Sequence, residues 1–259
     1  MDLGLKDRKA IVCASSRGLG RGCAVHLARA GCEVTVNGRN ADVLRETAEA
    51  IRSETGATVH EVAADVSTPE GQRALLEACP SPDILINNNG GPPRRDFAKL
   101  DRAAMIDGVV QNMITPIELI AAVVDGMSER GFGRIVNITS LSVYMPIAGL
   151  DLSSGARAGL TAFLAGVARD VAGTGVTINA LLPGKMDTDR LRGGLRATAR
   201  RLGVTEEEAA DRQRTEIPAR RFGNADEFGA TCAFLCSHHA GYITGQNILM
   251  DGGLYPSAF

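Results

Sequence analysis

The chain has 259 residues, 44% hydrophobic and 22% charged, enough apolar material for the full core of an α/β domain. Lys plus Arg number 28 against 30 Asp plus Glu, so the net charge is −2, without the basic excess that nucleic-acid or anionic-membrane binding requires. Aromatics are scarce: there are seven Phe, three Tyr and no Trp, and a phenol acting as an acid has to come from Tyr144, Tyr242 or Tyr255.

The first ten residues, MDLGLKDRKA, carry charges around two isolated leucines and do not read as a signal peptide. No uninterrupted apolar run approaches the ~18 residues of a membrane span. Cys13, Cys23, Cys32, Cys79, Cys232 and Cys236 form no CxxC pair and have no His at zinc spacing. They read as free thiols of a cytoplasmic protein.

Residues 9–14 (KAIVCA) are a short β-branched run and read as a buried strand. Residues 17–31 open with glycines, continue at helical spacing and stop at Gly31. A strand at 33–38 and a helix at 40–56, capped by Asn40 and closed by Gly56, come next. Residues 57–65 are a third strand, Thr68-Pro69 starts a helix, and 83–88 are a fourth strand. A long helix is predicted from Asp101 to Glu129, bent at Pro116. Then come a strand at 133–140, an Ala-rich helix at 153–173, a strand at 175–184, a helix at 224–237 and a last strand within 246–253. Alternation at this spacing predicts one α/β domain over 1–259. Its fold is a Rossmann fold: a doubly wound parallel sheet of about seven strands, apolar on both faces, with helices covering each. Residues 189–221 interrupt the rhythm and predict one or two short helices outside the sheet.

Residues 13–20 read C-A-S-S-R-G-L-G, between the first strand and the first helix. Glycines there admit a pyrophosphate, and the helix N-terminus offers N–H groups and partial positive charge. An acid at the end of the second strand would bind the ribose hydroxyl of NAD, but this chain has Asn37, Gly38 and Arg39. Arg39 and Arg17 instead suit a 2′-phosphate, which points to NADP(H).

Six segments in order, CASSRGLG (13–20), AADVS (63–67), NNNGG (87–91), GRIVNITS (133–140), INALLPGKMDTD (178–189) and YITGQNILMDGG (242–253), resemble the short-chain dehydrogenase/reductase family. Within it the chain looks most like the 3-oxoacyl-carrier-protein reductases. The resemblance implies that Ser15, Ser16, Arg17, Gly18, Leu19 and Gly20 cradle the cofactor, with Ala14 where the family has its first glycine. It implies further that Asp65 and Val66 meet adenine, that Asn88, Asn89 and Gly90 line the cofactor, and that Pro183, Gly184 and Thr188 meet the nicotinamide end. Asn112 and Ser140 match the family's catalytic asparagine and serine, and 189–221 matches its substrate lid. A homodimer or homotetramer built on the helices from Asp101 and Ser153 is implied as well.

One motif departs. The family's Tyr-x-x-x-Lys falls on Ser153 to Arg157, with Ser153 for tyrosine and Arg157 for lysine. Carbonyl reduction needs a hydride and a proton. A phenol beside an ammonium is a usable acid, an aliphatic hydroxyl is not, and a guanidinium does not readily exchange a proton. Substitute donors are Tyr144, Lys185, or a water polarised by Ser140, Ser153 and Arg157; Tyr144 and Lys185 also read as a wall residue and a solvent-facing lysine. Tyr242 and Tyr255 fall in the C-terminal segment, away from the expected site, and His26, His60, His238 and His239 read as structural. The expectation is an NADP(H)-dependent oxidoreductase acting on a small carbonyl or alcohol, or on an acyl thioester. The alternatives are a silent NADP(H)-binding sensor or partner subunit, or a non-redox enzyme on this scaffold. Nine Arg against six acids in 189–221 suit an acidic substrate, with Arg192 and Arg196 as receptors, or equally a solvated helix pair.

Overall fold

The computed structural model describes residues 1–91 and 94–257. Its strands are β1 (Lys9–Val12), β2 (Glu33–Gly38), β3 (Val59–Ala63), β4 (Ile84–Asn87), β5 (Gly133–Ile138), β6 (Val176–Pro183) and β7 (Asn247–Met250). They form one sheet in the order β3-β2-β1-β4-β5-β6-β7, with every neighbouring pair parallel. The order reverses between β1 and β4. Chains leaving the two strands there turn to opposite faces and open a crevice at their C-terminal ends.

Side chains along β1 alternate between two cores, as a period of two requires. Val12 joins Val34 and Ile86 beneath α1 (Gly18–Arg29), α2 (Ala41–Thr55) and α9 (Ala225–Cys236), which contribute Leu27, Ile51 and Phe228. Ile11 joins Leu85 and Ile135 beneath α3 (Pro69–Ala78), α5 (Thr115–Glu129) and α6 (Asp151–Val171), which contribute Leu75, Leu119 and Leu160. The expectation of strands apolar on both faces holds for β1, β4, β5 and β6 and fails at the edge. In β3 only Val59 and Val62 are buried, because an edge strand keeps solvent on one flank.

The predicted long helix is not one bent helix. It divides into α4 (Arg102–Val109), a π-helical turn (Val110–Ile114) and α5. The irregularity lies directly ahead of Pro116, whose missing N–H cannot bond the Asn112 carbonyl one turn back in this continuous helical stretch. The widened turn carries the buried Asn112. Residues 189–221 form α7 (Asp189–Leu202) and α8 (Glu206–Glu216), with a small core of their own made by Leu195, Ala199, Ala209 and Ala210.

Helices α1 and α9 touch almost backbone to backbone. A Cβ built on Gly22 would stand 2.1 Å from the Ala225 carbonyl oxygen, and one on Gly229 would stand 2.3 Å from that of Gly22. We expect Gly22→Ala to destabilise the fold by about 1–3 kcal/mol, the cost typical of overpacking. That outweighs the ~1 kcal/mol gained in helix propensity, and it should appear as a lower urea midpoint at unchanged m-value.

Candidate active site

The loop from β1 to α1 is tightly wound. Ala14 has φ +44° and Gly18 has φ +57°, both in the left-handed region, and Ala14 bears there the strain of a Cβ that glycine lacks. A Cβ on Gly20 would lie 2.5 Å from the Ala14 carbonyl oxygen and 2.9 Å from Asn88 Nδ2, so only glycine closes this turn. The extended Arg17 precedes α1 with no side-chain cap, and the helix has no acid in its first turn. Its leading N–H groups and dipole face the mouth of the loop, the arrangement that accepts a phosphate. These features fit a dinucleotide pyrophosphate.

Asn37, which sequence reasoning passed over, holds this loop in place. Its Oδ1 accepts from Ala14 N (3.1 Å), and its Nδ2 donates to the carbonyls of Val62 and Ala64 (3.0 Å each). Ser15 N donates to the Asn37 carbonyl (2.7 Å), and the Ser15 hydroxyl donates to Val12 O (2.7 Å). The signal in the sequence was an amide near the end of a strand with valines at alternate positions.

The predicted cofactor positions converge on the crevice. Beyond β2, Arg39 Nη1 lies 3.9 Å from Asp65 Oδ2, both side chains open to solvent. The Ser67 hydroxyl donates to Asp65 at 2.5 Å and holds its carboxyl below the usual carboxylate range, with Arg39 a smaller influence. Val66 is buried beside it. Past β4, Asn88 Nδ2 donates to Ala14 O (3.1 Å), Asn89 Nδ2 donates to Gln111 O (3.2 Å), and Gly90 N donates to Asn89 Oδ1 (2.8 Å). Pro183 ends β6, Gly184 packs against Asp251, and Thr188 caps α7 while its methyl faces Gly18. Ser16 packs against Gly38, and its carbonyl accepts from Thr47. Leu19 follows on the first turn of α1, and Arg17 lies 3.7 Å from Asp189.

Next to this cradle, Ser140 ends the β5 segment, with its Oγ accepting from Ser142 N (3.1 Å). Ser153 and Arg157 are both buried on α6. Arg157 Nε donates to Ser153 Oγ (3.1 Å), and Arg157 Nη1 donates to Ile138 O (2.5 Å). Burial pulls the Arg157 guanidinium down to about 10, with Arg190 a second and smaller cause, and at neutral pH it remains a cation. A cavity of about 20 Å³ lies against it, lined by Asn87, Asn112, Thr115 and Arg157 among others. Asn112 Nδ2 donates to Gly108 O (3.2 Å), whereas Asn112 Oδ1, Asn87 Oδ1 and Thr115 Oγ1 are buried without a partner. Such a cavity has room for one water and the polar groups to hold it.

Two sequence expectations change. Tyr255 is not remote: its ring stacks on Tyr144 with centroids 5.5 Å apart, because the C-terminal segment folds back past Asp251, which accepts from Tyr255 N (2.8 Å). Lys185 is not a solvent-facing lysine, since its ammonium is ion-paired with Glu216 at the end of α8. Arg192 is engaged by Asp187 through two hydrogen bonds of 2.9 and 3.1 Å at the surface, as the reading of a solvated helix pair has it. The histidines hold structural places: His26 meets Asp226 across α1 and α9, His60 meets Glu33, and His239 meets Asp2 O.

Comparison with known proteins gives the same fold from end to end. The 3-oxoacyl-[acyl-carrier-protein] reductase FabG of Pseudomonas aeruginosa is 32% identical over 259 residues, covering 98% of this chain and 100% of that protein. The NADPH-dependent reductase BacG of Bacillus subtilis is 30% identical, covering 96% and 98%. The structure of L-sorbose reductase from Gluconobacter frateurii, complexed with NADPH and L-sorbose, superposes with a TM-score of 0.94 at 27% identity over 99% of this chain and 100% of that one. A family model described as enoyl-(acyl carrier protein) reductase matches residues 13–255, and with it the chain belongs to the short-chain dehydrogenase/reductase family.

Proposed function

We propose that this chain is an NADP(H)-dependent reductase of a carbonyl substrate, a small ketone or a 3-oxoacyl thioester. Its proton comes from a bound water rather than from a tyrosine. The observation that carries the reading is the cradle at the head of α1: an uncapped helix N-terminus, closed by Gly20 against Ala14, with Arg39 in place of an acid where β2 ends. Relatives and structural neighbours that are NADPH-dependent reductases support it.

When bound, the nicotinamide supplies the hydride. Gly18, Leu19 and Gly20 hold the pyrophosphate through backbone N–H groups, and Arg39 takes the 2′-phosphate as a charged fork. The Ser140 hydroxyl donates to the substrate oxygen, and the fixed charge of Arg157 favours the alkoxide that develops there. Ser153, hydrogen-bonded to Arg157 and buried, orients a water that is no stronger an acid than its own hydroxyl but can exchange its proton with solvent. As that water gives its proton to the alkoxide it takes one from a water held in the cavity at Asn112 and Thr115, which is reprotonated in turn from bulk solvent, so the net proton comes from solvent and no hydroxide is left behind. Lys185, ion-paired with Glu216, is not the donor in this scheme. Tyr144, stacked on Tyr255, is a wall. We further read α7 and α8 as the substrate lid of a single cytoplasmic domain. The outward apolar residues Met105, Ile106, Val109 and Phe163 on α4 and α6 are the contact of a homodimer or homotetramer.

Pure protein should consume NADPH with at least one member of a panel of ketones and 3-oxoacyl thioesters. Tight NADPH binding without turnover across the panel would instead establish a silent binding protein. Arg39→Ala should raise the NADPH Kd about 10- to 100-fold, the ~1.5–3 kcal/mol of a charge-assisted hydrogen bond, and leave the NADH Kd nearly unchanged. Among activity variants, Tyr144→Phe should keep the rate, and the double variant Ser153→Tyr with Arg157→Lys should raise it at neutral pH. A rate abolished in Tyr144→Phe would make Tyr144 the acid.

A further inference from the structure

Reducing an isolated ketone leaves the new charge on one oxygen. The alkoxide is a strong base and calls for a proton as the hydride arrives. The groups beside the cradle are better suited to holding a charge there than to neutralising it. Ser153 Oγ accepts from Arg157 Nε at 3.1 Å, and Ser140 Oγ accepts from Ser142 N at 3.1 Å. Among the described residues neither hydroxyl gives its hydrogen to another protein group, so each has a hydrogen left to donate. Arg157 Nη1 donates to Ile138 O at 2.5 Å, which ties α6 to the end of β5 two residues before Ser140. The Arg157 residue is only 8% exposed, and no carboxylate is among the influences on its charge. A buried fixed cation behind two hydroxyl donors is an oxyanion hole without an acid.

Conjugate reduction makes an anion that suits such a site. Hydride delivered to the β-carbon of an α,β-unsaturated ketone moves the C=C electron pair toward the carbonyl and leaves an enolate. Its charge is shared between oxygen and the α-carbon, so it is a weaker base than an alkoxide and survives the hydride step when its oxygen is held. We propose that this chain has a further activity, the NADPH-dependent reduction of the C=C bond of α,β-unsaturated ketones. Ser140 donates to the enolate oxygen, and Ser153, backed by Arg157, donates through the water it orients. The α-carbon then takes a proton from water, which regains one from bulk solvent. One enone, one NADPH and one solvent proton give one saturated ketone and one NADP+. The inference rests on the NADPH reading of the cradle and adds a second reaction at the same site, one that needs no phenol.

Two measurements on the full-length protein test it. The first needs no turnover. 4-Nitrophenol, whose phenolate carries a delocalised charge on oxygen, is titrated with and without NADP+ and followed by the phenolate absorbance. The phenolate should bind about ten-fold or more tightly than the neutral phenol, and S153A and R157Q should each lose most of that preference. S153A leaves Arg157 on the Ile138 carbonyl and keeps the comparison available if R157Q does not fold. The second sets cyclohex-2-enone against cyclohexanone, with NADPH deuterated at its hydride position. The enone should show a kcat/KM about ten-fold or more above that of the ketone, giving cyclohexanone with deuterium on its β-carbon. The double variant S153Y/R157K, which places a phenol beside an ammonium, should shift the preference from the C=C bond toward the C=O bond. Cyclohex-2-enol as the product, or cyclohexanone consumed as fast as the enone, would overturn the inference and leave the reductase reading standing. A phenol bound only in its neutral form would also overturn it. Failure to bind NADPH, or binding with neither substrate consumed, would overturn both.

Discussion

The buried amide of Asn37 is the constraint on which the site depends. Its residue is 1% exposed, and its side chain is held by one backbone N–H and two backbone carbonyls. Each such bond is worth about 1 kcal/mol net, but a buried partner left unmade costs ~1–3 kcal/mol. The loop after β1 and the end of β3 are therefore locked to β2 as one unit. Aspartate would not substitute, because an ionised carboxylate only accepts and would face the carbonyls of Val62 and Ala64. With the loop fixed, Ala14 is held at a positive φ that alanine seldom adopts, and Gly20 closes over it. The position of the first-turn N–H groups of α1 follows from that closure.

Arg157 illustrates a different trade. Burying a cation is costly, and the guanidinium is compensated by the Ile138 carbonyl, by Ser153 Oγ and by whatever polar group enters the adjoining cavity. An ammonium at this place would be compact, rotatable and able to exchange a proton. A planar guanidinium pinned at two nitrogens is a stationary charge. In the proposed reduction this separates two tasks, with charge stabilisation kept in the protein and proton mobility moved to water. The unpartnered oxygens of Asn112 and Asn87 and the Thr115 hydroxyl lie on the side where that water has to be held.

Much of this architecture was legible because its causes are local. Asn40 accepts from Val43 N and Thr68 from Gly71 N, as their places before apolar periodic runs implied, and Gly56 ends α2 at φ +71°. The glycine loop was legible for the same reason, since its chemistry lies in eight consecutive residues. The π-helical turn at Val110–Ile114 was not, because hydrophobic spacing runs smoothly through it and the extra residue serves to turn Asn112 inward. Pro116 was read as bending one long helix, whereas the helical backbone in front of it widens into the π-helical turn instead. Tyr255 on Tyr144 and Lys185 on Glu216 join segments distant along the chain, and no periodicity carries such pairings.

Net charge concealed the electrostatics of the site. A chain at −2 suggests a mildly negative protein, yet the crevice has Arg39 at one end and Arg157, Arg190 and Arg94 at the other. Many of the acids of the 187–227 region are spent in pairs on the outer surface, Asp187 with Arg192, Glu207 with Arg214 and Glu227 with Arg221. Exposed pairs of this kind add little stability, but they cancel field locally. In a crevice walled by low-dielectric protein, field is focused rather than screened, so a few cations there outweigh a larger number of distributed acids. The nine arginines of the 189–221 segment are thus not one basic face: Arg192, Arg214 and Arg221 are ion-paired where they stand, and α7 carries Arg190 to the β4 loop.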